Sequence, residues 1–425
     1  MKIIKYPPRE EWAKICVRPV FDHLYLFESV RKILDDVRIN GDQAVATYSE
    51  KFDQTVPEQF EVSPDEIEKV EQQLPDKLKG AIRLASANIE TFHRSQQLIP
   101  QKIETTSGVV CWQKATGIEK VGLYIPGGTA PLFSTVLMLA IPACIAGCRE
   151  IILCSPPDKE GKIHPAILYA AQLAGVSRIF KIGGAQAIAA MTYGTETVPN
   201  VYKIFGPGNQ YVTAAKQLVA MRDVAIDMPA GPSEVEVIAD DTANLAFVAA
   251  DLLSQAEHGA DSQAMLVTMY EEIVDRVIVE IERQLNDLPR KELTRQSLQH
   301  SCIVVLKSHR EVIDFTNAYA PEHLIIETKD YAVLAEQVIN AGSVFLGHFT
   351  PESAGDYVSG TNHTLPTNGY ARMYSGVNLD SFVKKITFQE ISQEGINRIG
   401  QATETMAQAE LLQAHSNAVS LRFQY

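Results

Sequence analysis

The chain has 425 residues, of which 46% are hydrophobic and 21% charged, and a formal net charge of −14. This length exceeds what one hydrophobic core usually supports, so two large domains with smaller additions are expected. An acidic chain without blocks of lysine and arginine argues against binding to nucleic acid or to an anionic membrane.

The N-terminus and the cysteines indicate the cellular compartment. Pro7 and Pro8 arrive before any apolar segment forms, which is incompatible with a secretory signal peptide. The most apolar stretch, residues 133–148, contains Pro142 and is too short to span a bilayer. The six cysteines follow no zinc-ribbon spacing and are expected to be reduced and buried. The sequence therefore predicts a cytoplasmic protein without membrane segments.

The predicted elements change character near residue 120. Residues 27–37 and 78–85 have apolar side chains at helical spacing, so the part to about residue 100 is predicted to be helical. From Lys120, short apolar strands alternate with glycine-containing loops and helices, a pattern typical of parallel sheets covered on both faces. Strands are predicted at 121–125, 151–154, 178–182, 201–205, 234–239, 264–269, 302–306, 323–327 and 343–346. Beyond about residue 380 the chain is predicted to return to helices.

Three strand-to-helix loops of the first run contain paired glycines. They are Gly127-Gly128, Gly183-Gly184 and Gly206-Pro-Gly208, with Tyr124, Gln186 and Asn209 at their edges. Glycine lets the backbone approach a phosphate, and the N-terminus of the following helix favours an anion. The sequence lacks both G-x-G-x-x-G and a P-loop, and a plain tight turn explains each loop equally well on its own. Together the loops favour a nucleotide bound in a non-standard mode.

The second run contains a helix with two candidate ligands. Asp240-Asp-Thr-Ala-Asn can begin a helix on which Gln255 and His258 lie three residues apart, about 60° around the axis. A metal or a substrate could be held between these two side chains. The alternative is that His258, just before Gly259, interacts only with the C-terminus of the helix.

Glu322 and His323 are candidates for proton transfer. They follow Pro321 and precede a predicted strand, in which neighbouring residues point to opposite faces. A joint role therefore requires the loop to re-aim them, and a solvated pair on a loop is the alternative. If they do meet, one can act as a general base while the other positions water.

Two polar segments follow. Residues 355–363 combine Asp356 and His363 with turn-forming residues and little other charge, which favours a loop that faces a site. Glu410 and His415 lie about 140° apart on a continuous helix, so they can share a site only if the helix ends between them. Taken alone, both are typical surface residues.

Long strings in this chain resemble the histidinol dehydrogenase family. The resemblance runs in order from about residue 20 to about residue 420, through the strings 124–134, 183–190, 205–209, 227–234, 254–258, 320–323 and 355–363. It implies an α/β fold with two incomplete Rossmann-like domains of the aldehyde dehydrogenase type and helical N- and C-terminal extensions, in agreement with the absent G-x-G-x-x-G. The expected division is an extension at 1–20, a first α/β domain with the metal and catalytic residues at 21–123 plus 234–380, a nucleotide-binding domain at 124–233, and a helical arm at 381–425.

The resemblance also implies an activity. Family members oxidise L-histidinol to L-histidine by way of bound histidinaldehyde, a four-electron reaction that uses two NAD⁺ and one Zn²⁺ per subunit. Gln255, His258, Asp356 and His415 match the zinc ligands. The C-terminal arm of each subunit is expected to reach the partner's site, so that His415 comes from the partner subunit of a homodimer.

Roles for the remaining candidates follow from the same resemblance. His323 matches the general base that removes the alcohol proton, and Glu322 matches the residue that activates water. The expected substrate contacts are Ser233, Gln255, His258, His323, Asp356, His363, Glu410 and His415, and the expected nucleotide contacts are Tyr124, Gln186 and Asn209.

Two other functions remain open from the sequence. One is an aldehyde dehydrogenase that uses Cys111 or Cys154 as nucleophile. The other is a catalytically silent zinc-binding dimer in which His415 only joins the subunits.

Overall fold

The computed structural model describes residues 1–18, 23–127, 130–229 and 231–424 of the chain. Gly128 of the first predicted glycine loop lies outside these residues. Within them, the chain forms two parallel sheets and one small antiparallel sheet. The prediction of an α/β fold with parallel sheets is confirmed.

The larger sheet has six parallel strands. Its four inner strands are buried on both faces, as the near-continuous apolar runs predicted. In spatial order the strands are β1 (Lys2–Lys5), β11 (Cys302–Val305), β10 (Gln263–Thr268), β9 (Glu234–Ala239), β12 (His323–Glu327) and β13 (Ser343–Leu346).

The smaller sheet has five parallel strands and the same layered construction. In spatial order they are β6 (Arg178–Lys181), β5 (Glu150–Ser155), β4 (Lys120–Tyr124), β7 (Lys203–Phe205) and β8 (Ala225–Ile226). Because all neighbours are parallel, the loops that follow β4, β6 and β7 open at one edge of the sheet.

Helices cover both faces of each parallel sheet. The α-helices of the described residues are α1 (Arg9–Ile15), α2 (His23–Asp53), α3 (Pro64–Glu68), α4 (Val70–Gln73), α5 (Asp76–Arg94), α6 (Phe133–Ala146), α7 (Pro165–Leu173), α8 (Gly184–Tyr193), α9 (Gln210–Ala220), α10 (Leu245–Ala256), α11 (Glu271–Leu285), α12 (Lys291–Ser297), α13 (His309–Tyr319), α14 (Tyr331–Ala335), α15 (Glu352–Tyr357), α16 (Gln393–Ala409) and α17 (Gln413–Ser420). The last two pack on each other, and α16 contacts the antiparallel sheet. None of the helices in the described ranges is long and apolar enough to cross a bilayer.

The antiparallel sheet differs from the sequence-based prediction. It consists of β2 (Ile103–Thr106), β3 (Val109–Gly117) and β14 (Val383–Ile391), with β3 in the centre. The prediction that the chain returns to helices directly after about residue 380 is therefore wrong for β14. The strand is largely exposed and includes Lys384, Lys385 and Gln389, so its sequence lacks the apolar alternation that marks a half-buried strand. Its partner β3, more than 260 residues earlier, provides the stabilisation.

Sheet membership also differs from the expected domain division. The strand β1, within the predicted N-terminal extension, is an edge strand of the larger sheet. The strand β4 belongs to the smaller sheet, although the predicted boundary at residue 124 assigns most of it to the other domain. The segment α2, which consists of two helices joined by a kink at Gly41 (φ 52°), packs on α8 and α9 and hence on the smaller sheet.

Candidate active site

The two parallel sheets meet at a cavity of about 600 Å³. The loop after β7 lines it from the smaller sheet, and the segments that lead into β9 and β12 line it from the larger sheet. The carboxyl edge of one sheet therefore faces the amino edge of the other. Seven predicted metal, catalytic and substrate residues line this cavity: Ser233, Gln255, His258, Glu322, His323, Asp356 and His363.

Gln255 and His258 reach the cavity from the end of α10. The helix begins as predicted, because the Asn244 side chain accepts a hydrogen bond from the Ala246 amide. Gln255 is fully buried in its last turn, whereas His258 lies two residues beyond the last helical residue and is exposed. The end of the helix thus places a buried amide beside an exposed imidazole.

Glu322 and His323 meet despite being neighbours in sequence. The left-handed Ala320 (φ 54°) ends α13, and His323 is the first residue of β12. His323 Nδ1 lies 3.6 Å from Glu322 Oε2, and both side chains are buried at the cavity. The turn therefore re-aims the two residues to one side, the condition that a joint role required.

Backbone groups of β9 hold this pair in place. The Glu234 amide donates to Glu322 Oε2 at 2.9 Å, and the Glu234 carbonyl oxygen lies 3.3 Å from His323 Nδ1. Since a carbonyl oxygen only accepts, this contact favours the tautomer with the proton on Nδ1. The lone pair of Nε2 is then available, 3.4 Å from Asp356 Oδ1.

Glu352 is a further residue of the site that the sequence patterns did not predict. This carboxyl group is buried, lies 4.0 Å from His323 Nδ1 and is hydrogen bonded by the Gln255 side-chain amide. Glu352 and Asp356 are four residues apart on α15 and so project from the same helix face. That spacing, directly after Pro351, was the signal that could have identified Glu352.

Three of these residues form a group suited to a cation. The ligand atoms of His258, Glu352 and Asp356 all lie within 4.8 Å of one another, and the described part of the chain contains no second group of three or more such residues. Imidazole nitrogen and carboxylate oxygen are ligands that Zn²⁺ accepts in catalytic sites. The residues present therefore fit a divalent metal, with the amide of Gln255 adjacent to Glu352.

The buried charges around His323 influence one another. Burial alone lowers the pKa of His323, but the carboxylates of Glu352 and Glu322 raise it well above its ordinary value. Burial raises the pKa of Asp356, yet its contact with His323 and the nearby imidazoles leaves it lowered. Burial likewise lowers the pKa of His363, so this imidazole is neutral near pH 7. Thr135 Oγ1 at 3.1 Å and the Asp356 carbonyl oxygen at 2.8 Å fix the ring of His363.

A second cavity of about 1000 Å³ adjoins the first. Tyr124, Gln186 and Asn209 line it, and both Pro126 and Asn209 line the first cavity as well. The Gly184 amide donates to the Tyr124 hydroxyl at 3.0 Å, at the start of α8. Four lysines at the cavity outnumber its three carboxyl groups: Lys32, Lys51, Lys159 and Lys162 against Glu28, Asp53 and Asp158. Size, charge and the edge of the sheet all suit a dinucleotide.

Glu410 and His415 lie apart from both cavities in their own chain. The helix α16 ends at Ala409 and α17 begins at Gln413, with a left-handed Leu411 (φ 61°) between them, so the helix does end between the two residues. Both side chains are exposed, and neither lines either cavity.

The cysteines do not reach the site. Cys154 is fully buried within β5, and burial raises the pKa of its thiol. Cys111 lies on β3 and lines a separate groove on the antiparallel sheet. Neither is placed to act as a nucleophile at the cavity that contains His323.

The architecture defines the class of the protein. A putative aldehyde dehydrogenase from Burkholderia cenocepacia has the same overall fold, with a TM-score of 0.51 over 86% of this chain and 85% of that chain at 13% identity. The molecule is therefore an α/β protein with an aldehyde-dehydrogenase-like fold.

Closer relatives identify the family. The sequence model of the histidinol dehydrogenase family matches residues 18–423. A histidinol dehydrogenase from Bacteroides thetaiotaomicron is 66% identical over 99% of both chains, and one from Escherichia coli K12 is 52% identical over 97% of this chain and 95% of its own. The crystal structure of a histidinol dehydrogenase from Elizabethkingia anophelis has a TM-score of 0.98 at 55% identity and covers 100% of this chain and 98% of that chain. The chain belongs to the histidinol dehydrogenase family.

Proposed function

We propose that this chain oxidises L-histidinol to L-histidine in two successive steps, each of which transfers a hydride to NAD⁺. The observation that carries the proposal is the buried pair Glu322 and His323, which lies with a group of cation ligands at one cavity, and this cavity adjoins a second one of dinucleotide size. Such a pair can remove a proton in one step and direct water in the next. These two oxidations are the last steps of histidine biosynthesis.

Gln255, His258 and Asp356 would hold Zn²⁺ from this chain, and His415 from the partner subunit. When bound, the metal supplies positive charge that orients the imidazole and amine nitrogens of the substrate. Glu352, which accepts a hydrogen bond from the Gln255 side chain, would orient that ligand. Ser233 and His363 line the same cavity and would contact the substrate. Glu410, from the partner, would pair with a substrate ammonium or imidazole N–H.

In the first step the neutral form of His323 acts as the general base. The positive charge of a metal held beside Asp356 would oppose the surrounding carboxylates and favour this neutral form. Nδ1 is directed at the Glu234 carbonyl oxygen, so Nε2 is the nitrogen that accepts the hydroxyl proton of the alcohol. The hydride leaves from the same carbon to NAD⁺. The products are the bound aldehyde, NADH and one proton on His323.

In the second step Glu322 directs the attack of water on the aldehyde. Its Oε2 is held by the Glu234 amide at 2.9 Å, which leaves Oε1 to accept a proton from the water. The hydrated aldehyde then transfers a hydride to a second NAD⁺ and becomes the carboxylate of histidine. The balance is one water consumed, with one NADH and two protons formed.

We further propose a homodimer with shared active sites. The C-terminal part of the chain carries both residues that are absent from the cavities, together with exposed apolar side chains at Met406, Leu411 and Leu412. An exposed apolar segment that carries two site residues is suited to contact a partner subunit. The six cysteines are unpaired, which supports the predicted cytoplasmic location.

The first experiment counts NADH formed per molecule of limiting L-histidinol, with Zn²⁺ and excess NAD⁺ present. We expect two NADH per molecule and histidine as product. One NADH per molecule would mean that the reaction stops at the aldehyde and would contradict the role of Glu322. No NADH from folded, zinc-loaded protein would contradict the proposal as a whole.

A further inference from the structure

Arg18 is a buried arginine that no part of the proposed mechanism uses. It lies between α1 and α2, far in sequence from the catalytic pair, and its side chain is only 7% exposed. Its guanidinium group makes a two-pronged contact with the Glu234 carboxylate, from Nε to Oε2 at 2.6 Å and from Nη2 to Oε1 at 3.0 Å. The Glu234 side chain is only 1% exposed, so this ion pair is almost completely shielded from water.

The same guanidinium group also binds the segment that leads to Glu322. Nη2 donates to the Tyr319 carbonyl oxygen at 2.6 Å, and the guanidinium carbon lies 3.7 Å from the centre of the Tyr319 ring. Nη1 donates to the Cys16 carbonyl oxygen at 3.0 Å. Tyr319 is the last residue of α13, three positions before Glu322. One side chain thus connects the N-terminal segment, the start of β9 and the turn before β12.

These contacts end at the catalytic pair. Glu234, which forms the ion pair with Arg18, donates a hydrogen bond from its amide to Glu322, and its carbonyl oxygen faces His323 Nδ1. A shift of Glu234 or of the turn after Tyr319 would therefore change the angle of both catalytic groups. Displacements of about 1 Å in such groups reduce turnover by about 10²-fold.

We propose that Arg18 is a positioning residue that holds Glu322 and His323 in register through Glu234 and the end of α13. The inference rests on the roles proposed above for these two residues. It also explains the choice of residue, because a planar guanidinium can bind a carboxylate with two bonds, donate to a carbonyl and stack on a ring at once. A lysine ammonium lacks this planar fork. Burial raises the pKa of Glu234, and the neighbouring guanidinium of Arg18 opposes that shift.

The test compares Arg18→Ala with Arg9→Ala. Arg9 is a matched control because it also pairs with a carboxylate, Asp314, and lies over an aromatic ring, that of Trp12, but it is exposed and remote from the pair. For Arg18→Ala we expect kcat to fall about 10- to 100-fold in both oxidation steps, with zinc content and the KM for histidinol within about twofold of wild type. Millimolar guanidinium should restore part of kcat in a saturable manner. The same salt should give no gain in wild type or in Arg9→Ala.

A role in stability alone would lower the Tm of Arg18→Ala and leave the kcat of the folded protein unchanged. Folded Arg18→Ala protein with wild-type kcat, or with lost kcat and no response to guanidinium, overturns the inference. If Arg18→Ala does not fold, Arg18→Lys decides, since it keeps the buried charge; we expect reduced kcat with unchanged KM, and wild-type kcat would overturn the inference. Wild-type protein that forms no NADH from histidinol would instead contradict the proposed function.

Discussion

The two ring nitrogens of His323 have different surroundings, and this difference sets its proposed role. Nδ1 faces the Glu234 carbonyl oxygen at 3.3 Å, and Nε2 lies 3.4 Å from Asp356 Oδ1 at the cavity. A base whose inner nitrogen is fixed by the backbone presents its outer nitrogen in a constant direction. Asp356 therefore serves two neighbours, the proposed metal and the proposed base.

Replacement of His323 by Asn should remove the base and leave the metal ligands in place. We expect turnover to fall by about 10²- to 10⁴-fold, the usual contribution of a general base, with one zinc per subunit retained. Steady-state kinetics and metal analysis on the same preparation measure both quantities. Glu322→Gln is the matched variant, because it should impair oxidation of histidinaldehyde more than oxidation of histidinol. Loss of zinc in His323→Asn, or equal loss of both steps in Glu322→Gln, would contradict the assigned roles.

Most residues of the site could be predicted from the sequence, but the buried carboxyl group of Glu352 could not. Gln255, His258 and Asp356 were found through strings that resemble a known family, and the structure brings their side chains to one cavity. Glu352 lies outside those strings, and a glutamate after proline is common at exposed helix starts. Only the packing of α15 against the end of α10 shows that it is buried.

At the scale of elements, a second pair of carboxyl groups lies between α10 and β12. Asp251, one helical turn before Gln255, interacts with Glu327 at the end of β12. Burial and the neighbouring Asp251 raise the pKa of Glu327 to about 9, and burial raises that of Asp251 to about 6. His348 Nδ1 lies 3.8 Å from Glu327 Oε2. Glu327 is therefore protonated in the folded protein near neutral pH.

Because of this pair, we expect Glu327→Gln to become more stable relative to the wild type as the pH rises. Glu327 ionises on unfolding, because its pKa drops from about 9 to its ordinary value of 4.5. The free energy of unfolding of the wild type therefore falls as the pH rises from about 4.5 to 9. The glutamine of Glu327→Gln does not titrate, so the variant lacks this loss. We expect the Tm of Glu327→Gln, relative to wild type, to be higher at pH 8 than at pH 5.

Thermal unfolding at the two pH values tests this. The exposed Glu336→Gln serves as the matched control, because it makes the same substitution outside the buried pair. A Tm difference for Glu327→Gln that is constant or shrinks with rising pH would show that Glu327 is already ionised in the folded state.

Some of these elements could be predicted from the sequence and others could not. The strands β9 and β12 are buried along their length and contain the apolar runs 237–239 and 324–326, and their predicted bounds agree with the structure. The strand β14 is exposed and is specified by its pairing with β3, a contact that no local pattern contains. The break between α16 and α17 was only a condition for a shared site, and it occurs at a non-glycine residue with positive φ.

For the whole molecule, the arrangement of residues divides the proposed zinc ligands into two sets. Gln255, His258 and Asp356 line one cavity, whereas His415 is exposed near the end of the chain. A site completed by a partner subunit makes activity a property of the dimer. It also means that damage to different ligand sets can be complemented between chains.

Mixed dimers therefore provide a test of shared sites. A His258→Ala chain and a His415→Ala chain should each be inactive alone, because each lacks one zinc ligand at every site. In a mixed dimer one site carries both defects and the other carries neither, so random mixing of equal amounts should restore about one quarter of wild-type activity. NADH formation after unfolding and refolding the mixed chains measures this recovery.

The control separates complementation from nonspecific recovery. His258 and Asp356 line the same cavity of one chain, so mixing His258→Ala with Asp356→Ala leaves a defect at both sites of every dimer and should restore nothing. Recovery in the first mixture but not in the second is expected only if His415 crosses to the partner. Absence of recovery in verified mixed dimers would mean that each site is built within one chain, and that α16 and α17 must move to bring His415 to its own cavity.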